Sequence, residues 1–126
     1  MTAPRTLDVK EILLGWLPGV VSAPVLPARP DTAAAPDRFV RLILTGGPGR
    51  HDRALHTAQV TVDSYAPTTA GAVALALAVD DVLRAAPAAP VPIVRVSGSS
   101  PAESPDPDTA SARATATYQI TTRLTA

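Results

Sequence analysis

Arg38-Phe-Val-Arg-Leu-Ile-Leu-Thr45, Gly46-Gly-Pro-Gly-Arg-His-Asp-Arg53 and Ala54-Leu-His-Thr-Ala-Gln-Val-Thr-Val-Asp-Ser-Tyr65 form the stretch that decides the fold. Two runs rich in β-branched and aliphatic residues flank a glycine–proline tip, the pattern of a long β-hairpin. In the first run Val40, Leu42 and Leu44 share one face, and Phe39, Arg41, Ile43 and Thr45 the other. In the second, Ala58, Val60 and Val62 oppose Thr57, Gln59, Thr61 and Asp63. Side chains alternate across a strand, so each run offers one apolar face for helices to cover.

Downstream, Ala66-Pro-Thr-Thr69 closes the hairpin and caps a helix expected from about Ala70 to Ala86. Its stripe is Ala72, Leu75, Ala76, Val79, Val82 and Leu83, with Asp80, Asp81 and Arg84 outside it. Val73 and Leu77 pair at i, i+4 as a smaller second apolar spot, suited to a covering loop or a neighbouring subunit. Ile93-Val-Arg-Val96 reads as a short strand, and Gly98–Ser111 as a long polar loop with three prolines. Ala112 to Leu124 then alternates with period two. Ala114, Ala116, Tyr118 and Ile120 face one way, and Arg113, Thr115, Thr117, Gln119 and Thr121 the other. That is an antiparallel strand with one dry face and one wet one.

Upstream, Thr6 is the expected N-cap of a first helix, with Asp8 in its first turn. Val9, Ile12, Leu13, Trp16 and Leu17 make the apolar stripe, and Pro18 ends it. Leu7 and Leu14 lie off the stripe. Residues 18–37 carry five prolines, Pro18, Pro24, Pro27, Pro30 and Pro36, and read as an extended crossing. Within it Val25 and Leu26 suit a brief run along a sheet edge. The expected fold is therefore α+β in α-β-β-α-β-β order: a mixed, mostly antiparallel four-stranded sheet with two helices on one face.

At 126 residues a single domain, 1–126, is the default. Eleven basic and eleven acidic residues cancel, which disfavours a freestanding nucleic-acid binder. Without cysteine there is no thiolate zinc site, disulfide or thiol catalysis. No run approaches the roughly 18 apolar residues of a membrane span, so a soluble product without a membrane partner is expected.

Candidate chemistry is sparse. Gly46-Gly-Pro-Gly49 is no phosphate loop, because a strand follows it and the Gly-Lys-Ser/Thr ending is missing. His51 and His56 sit five apart in a loop-to-strand passage with no fixed facing geometry, which suits a solvated tip better than a metal. Asp106-Pro107-Asp108 lacks the glycine and distal glutamate of a calcium loop. No catalytic constellation is visible, and no cofactor or metal is expected.

Pro36-Asp-Arg-Phe-Val-Arg41 leads into a strand and a Gly-Gly turn. Asp52-Arg53 opens the strand Ala58-Gln-Val-Thr-Val-Asp-Ser-Tyr-Ala66 before an alanine-rich helix, and Pro105-Asp-Pro-Asp108 precedes Ala116-Thr-Tyr-Gln-Ile-Thr121. This succession resembles the tail terminator (head–tail joining minor tail) proteins of long-tailed phages infecting actinobacteria, over about Leu7 to Leu124. The resemblance implies a virion structural protein, assembled in the host cytoplasm and located at the tail neck. Such a protein forms a ring, usually hexameric, that caps the tail tube and offers the head its docking face, while DNA passes through without sequence recognition. Its partners would be further copies of itself, the major tail tube protein and a head-completion or neck protein.

In that setting Leu7, Leu14, Val73 and Leu77 are the candidates for subunit contact. Two loops, 46–55 and 98–111, are expected to order against tube, neck or DNA, through Arg50, His51 and Arg53 on the first and Glu103, Asp106 and Asp108 on the second. Two rivals stand beside this reading: another neck component such as a head-closure protein, and a small metal-dependent enzyme joining His51, His56 and a carboxylate.

Overall fold

The Asp8 side chain accepts a hydrogen bond from the Glu11 amide at 3.1 Å and so opens the first helix, α1 (Val9–Trp16). The cap is therefore Asp8 and not Thr6. A carboxylate two residues closer both satisfies an orphan amide and faces the helix dipole. These coordinates come from a computed structural model, which describes residues 3–31 and 35–125. A 3₁₀ turn (Leu17–Gly19) ends α1 at Pro18. Next come β1 (Val25–Leu26), β2 (Phe39–His51), β3 (Leu55–Tyr65) and α2 (Thr69–Arg84). The chain finishes with β4 (Arg95–Gly98), β5 (Ala102–Glu103) and β6 (Arg113–Arg123).

The molecule is a small single α+β domain, and its sheet has six strands among the described residues rather than the expected four. The order across it is β1-β2-β3-β6-β4, with β5 also paired to β6. β1 runs parallel to β2 through Val25↔Val40 and Leu26↔Arg41, and every other pairing is antiparallel. The two extra strands are short. Val25–Leu26 is the sheet-edge run expected from the sequence, whereas Ala102–Glu103 lies inside the segment read as a loop.

The hairpin pairs as the alternation predicts, from Phe39↔Tyr65 to Leu44↔Val60. It then continues where a loop was expected: after two irregularities pairing resumes at Gly49↔Thr57 and reaches His51↔Leu55. Thus 46–55 is mostly strand, and the turn is only Asp52–Ala54. Glycine makes this possible. Gly47 has φ +112°, and a Cβ there would lie 2.6 Å from the Gln59 amide nitrogen, so this bulge accepts no side chain.

Both helices cover the same face. Val9, Leu13 and Leu17 from the α1 region and Leu75, Val79 and Leu83 from α2 join Val40, Leu42, Val60, Tyr118 and Ile120 in one buried cluster. Val60 and Tyr118 are directly paired, as their shared parity requires. Thr68 caps α2 by accepting from the Gly71 amide at 3.0 Å. Leu44 shares this face but is 49% exposed, so the helical layer stops short of it. β4 starts two residues later than expected, because Ile93 buries itself in the core and Val94 makes the first contact with β6.

Candidate functional site

The second face of the sheet carries no helix and is laid out in polar rows. Thr57 pairs with Thr121, Gln59 with Gln119, Thr61 with Thr117 and Asp63 with Thr115. Most rows are closed by side-chain hydrogen bonds: 2.7 Å between the Thr57 and Thr121 hydroxyls, 2.7 Å from Gln119 Nε2 to Gln59 Oε1, and 3.0 Å between Thr61 and Thr117. The wet face predicted for β6 is thus drier than expected, and Thr57, Asp63 and Thr121 are buried.

At one end of this face a clasp gathers charge. Asp63 accepts from Arg41 Nη2 at 2.7 Å and lies 3.7 Å from Arg113 Nη1. Arg113 also donates to the Ser104 carbonyl at 2.7 Å. Asp106, only 2% exposed, accepts from the Tyr65 hydroxyl, from Arg29 Nη1 and from the Asp108 amide, each at 2.9 Å. Burial alone would raise the Asp106 carboxyl. The Asp108 amide, the Tyr65 hydroxyl and Arg29 together outweigh it and hold the group at about 2. Tyr65 in turn stacks on Phe39 with ring centroids 4.4 Å apart. The clasp therefore ties the proline-rich crossing, the hairpin base and the 98–111 segment together.

At the other end lies a cleft of about 340 Å³, lined in part by His51, Thr57, Arg95, Ser97, Gln119 and Thr121. His51 Nδ1 lies 3.2 Å from Asp52 Oδ2, and its Nε2 lies 2.8 Å from Thr57 Oγ1. Carboxylate, imidazole and hydroxyl in this sequence match the order that activates a hydroxyl nucleophile. Thr57, however, sits in the middle of the sheet, in ladder register with both β2 and β6, so the neighbouring strand amides are committed to pairing and offer no oxyanion hole. The arrangement reads instead as a hydrogen-bond relay.

The structure separates the residues nominated from sequence. His51 and His56 fall on opposite sheet faces, and no group of three metal-ligating side chains occurs among the described residues. That geometry removes the basis for a metal centre built on both histidines. Arg50 turns from the tip and donates to Thr6 Oγ1 at 2.9 Å and to the Pro4 carbonyl at 3.1 Å. Arg53 and Glu103 are exposed, and Asp108 is exposed beside Arg29 at 3.3 Å. Asp106 is the correction: it is buried within its own domain and is no exposed loop contact.

Among the apolar candidates, Leu14 packs partly on the main core and Val73 on a small alanine cluster. Leu7 is half-buried and Leu77 is 47% exposed. Two groups escaped the sequence reading, the clasp centred on Asp106 and the Arg95 side of the cleft. Both depend on long-range contacts that no local pattern announces: Asp106 with Arg29 and Tyr65, and Arg95 with Thr121 across β4 and β6. No protein-family model matches the chain, and no curated protein matches it. Chemically, the polar face can bind and orient a polar group at the cleft, while the clasp fixes the chain's long segments.

Proposed function

We propose that this chain is a tail terminator: a ring-forming virion protein that caps the tail tube of a long-tailed phage and presents a docking face to the head. The observation that carries this reading is the ordered succession of motifs and its fit to the folded elements. Pro36–Arg41 enters β2, Ala58–Ala66 fills β3 up to the α2 cap, and Pro105–Asp108 forms the clasp before Ala116–Thr121 in β6. Surfaces suited to assembly support it. Leu44 on β2 and Leu77 on α2 are the exposed leucines among the described residues and lie on different elements. A closed ring uses two different patches on each subunit.

The finer expectation is a homo-oligomer, hexameric in the virion, that contacts the major tail tube protein and a neck protein and lets DNA pass without sequence recognition. In this reading no residue is catalytic, because the protein acts through complementary surfaces. The test is electron microscopy of the purified protein mixed with tubes assembled from the major tail protein of its own genome. The expected result is one ring closing one end of each tube. Uncapped tubes beside a persistently monomeric protein would overturn the reading, as would a genome neighbourhood without a major tail protein.

A further inference from the structure

The relay at the cleft has two possible directions. His51 Nδ1 faces the Asp52 carboxylate, so in the neutral ring the Nδ1 proton belongs on that side and Nε2 becomes an acceptor. Thr57 then donates to Nε2, and Thr121 donates to the Thr57 oxygen. Every proton of the chain is spent inward, and Thr121 presents only lone pairs to the cleft that it lines.

A second proton on His51 reverses this order. Nε2–H must donate, so Thr57 accepts it and turns its own hydroxyl hydrogen toward Thr121. Thr121 then accepts from Thr57, and its O–H is released from the chain. Either threonine can be the donor at their 2.7 Å contact, so the reversal needs only rotation of two hydroxyls and the uptake of one proton from solvent.

The charged surroundings decide what the released hydroxyl would meet. Arg95 on β4 is directly opposite Thr121, Arg123 lies two residues along β6 on the same face, and Arg53 stands in the hairpin turn. None of the three has a side-chain hydrogen bond or ion pair among the described residues. Asp52 is the acidic residue in the cleft lining. Arg50 and His56 belong to the helix-side face and so point elsewhere. Of the three, Arg95 lines the cleft, while Arg123 and Arg53 stand outside its lining. An unpaired guanidinium directly beside the Thr121 hydroxyl favours an oxyanion there and repels a cation.

We propose that the cleft is a proton-linked oxyanion site, in which a sulfate- or phosphate-type group binds between Arg95 and the Thr121 hydroxyl while His51 takes up a proton. It stands on the geometry of one subunit and needs no ring.

Sulfate is the suitable probe, because its charge stays constant across the range in which histidine titrates. Amide shifts of the isotope-labelled chain are followed during sulfate addition at fixed ionic strength. The Arg95, Ser97 and Thr121 amides should move, and the affinity at about pH 6 should exceed that at about pH 8 by roughly tenfold. Thr121→Val and His51→Gln should each bring that ratio close to one. Arg95→Gln, a surface change, should weaken binding at both pH values and leave the ratio intact. A native protein without the pH dependence, or a folded Thr121→Val variant that keeps it in full, would overturn the proposal. Displacement of sulfate by a short DNA duplex would assign the site to a nucleic-acid phosphate. Binding of sulfate and inorganic phosphate that the duplex leaves undisturbed would assign it to a free ion.

Discussion

Three donors converge on Asp106, two of them from distant parts of the chain: Arg29 in the crossing, Tyr65 at the end of β3, and the amide of Asp108 beside it. Because its carboxyl is held at about 2, below the ordinary 3.8, its contribution to stability is fully present above about pH 4. It is lost as the pH falls from there toward 2. Asp106→Ala should therefore lower the unfolding free energy by about 1–3 kcal/mol at neutral pH. The gap between variant and native protein should narrow in urea titrations run below about pH 3. Tyr65→Phe removes one of the three donors and keeps the stack on Phe39, so it should cost less, about 1 kcal/mol. A greater loss for Tyr65→Phe than for Asp106→Ala would show that the carboxylate is not the hub. At the opposite extreme of pH, burial and then the 2.6 Å bond to Asp80 push the Tyr118 hydroxyl up. The neutral phenol is favoured in the folded state, so this contribution is lost only in strong alkali.

At the scale of elements, the long hairpin shows what periodicity can and cannot announce. Alternation from Phe39 to Leu44 and from Thr57 to Asp63 is enough to set face and register, because a slip of β2 by one residue would expose Val40 and Leu42 together. Gly46 to Gly49 carries no such signal. Glycine and proline there are the sequence signature of a turn, and only the facing strand shows that the ladder resumes beyond them. The same reason hid β5: Ala102 and Glu103 have no alternation of their own and are strand only by pairing with Thr115 and Ala114. The cleft was half legible, since His51 stood out while Arg95 and Thr121 meet only across β4 and β6. Gly47→Ala tests the bulge, because a Cβ there strikes the β3 backbone. It should destabilise by about 1–3 kcal/mol in chemical denaturation and loosen amide protection at Gln59. Gly49→Ala, whose Cβ meets nothing within 4 Å, carries only the positive-φ penalty and should cost less.

At the scale of the molecule, the leucines that hold the fold are not the ones proposed for assembly. Leu83 is fully buried between α2 and the sheet, and Leu83→Ala should cost about 2–5 kcal/mol in urea unfolding. Leu77 lies on α2 with 47% of its surface open, so folding gains little from it. Leu77→Asp should accordingly leave the thermal midpoint of the monomer within a few degrees of native, the size expected for changes below about 0.5 kcal/mol. If α2 supplies one half of a ring contact, the buried aspartate would face an apolar partner without a counter-charge. Ring formation and capping of tail tubes should then fail in a protein that is otherwise folded. Leu44→Asp, on the second exposed patch, should give the same phenotype, because a head-to-tail ring is broken from either side. An equimolar mixture of the two variants separates this from a two-fold contact. In a head-to-tail interface one intact patch of each kind remains, so the mixture can form a single joint and stop at dimers in sedimentation velocity. Full rings from each variant alone would remove Leu77 and Leu44 from the interface and leave the half-buried Leu7 as the next residue to change.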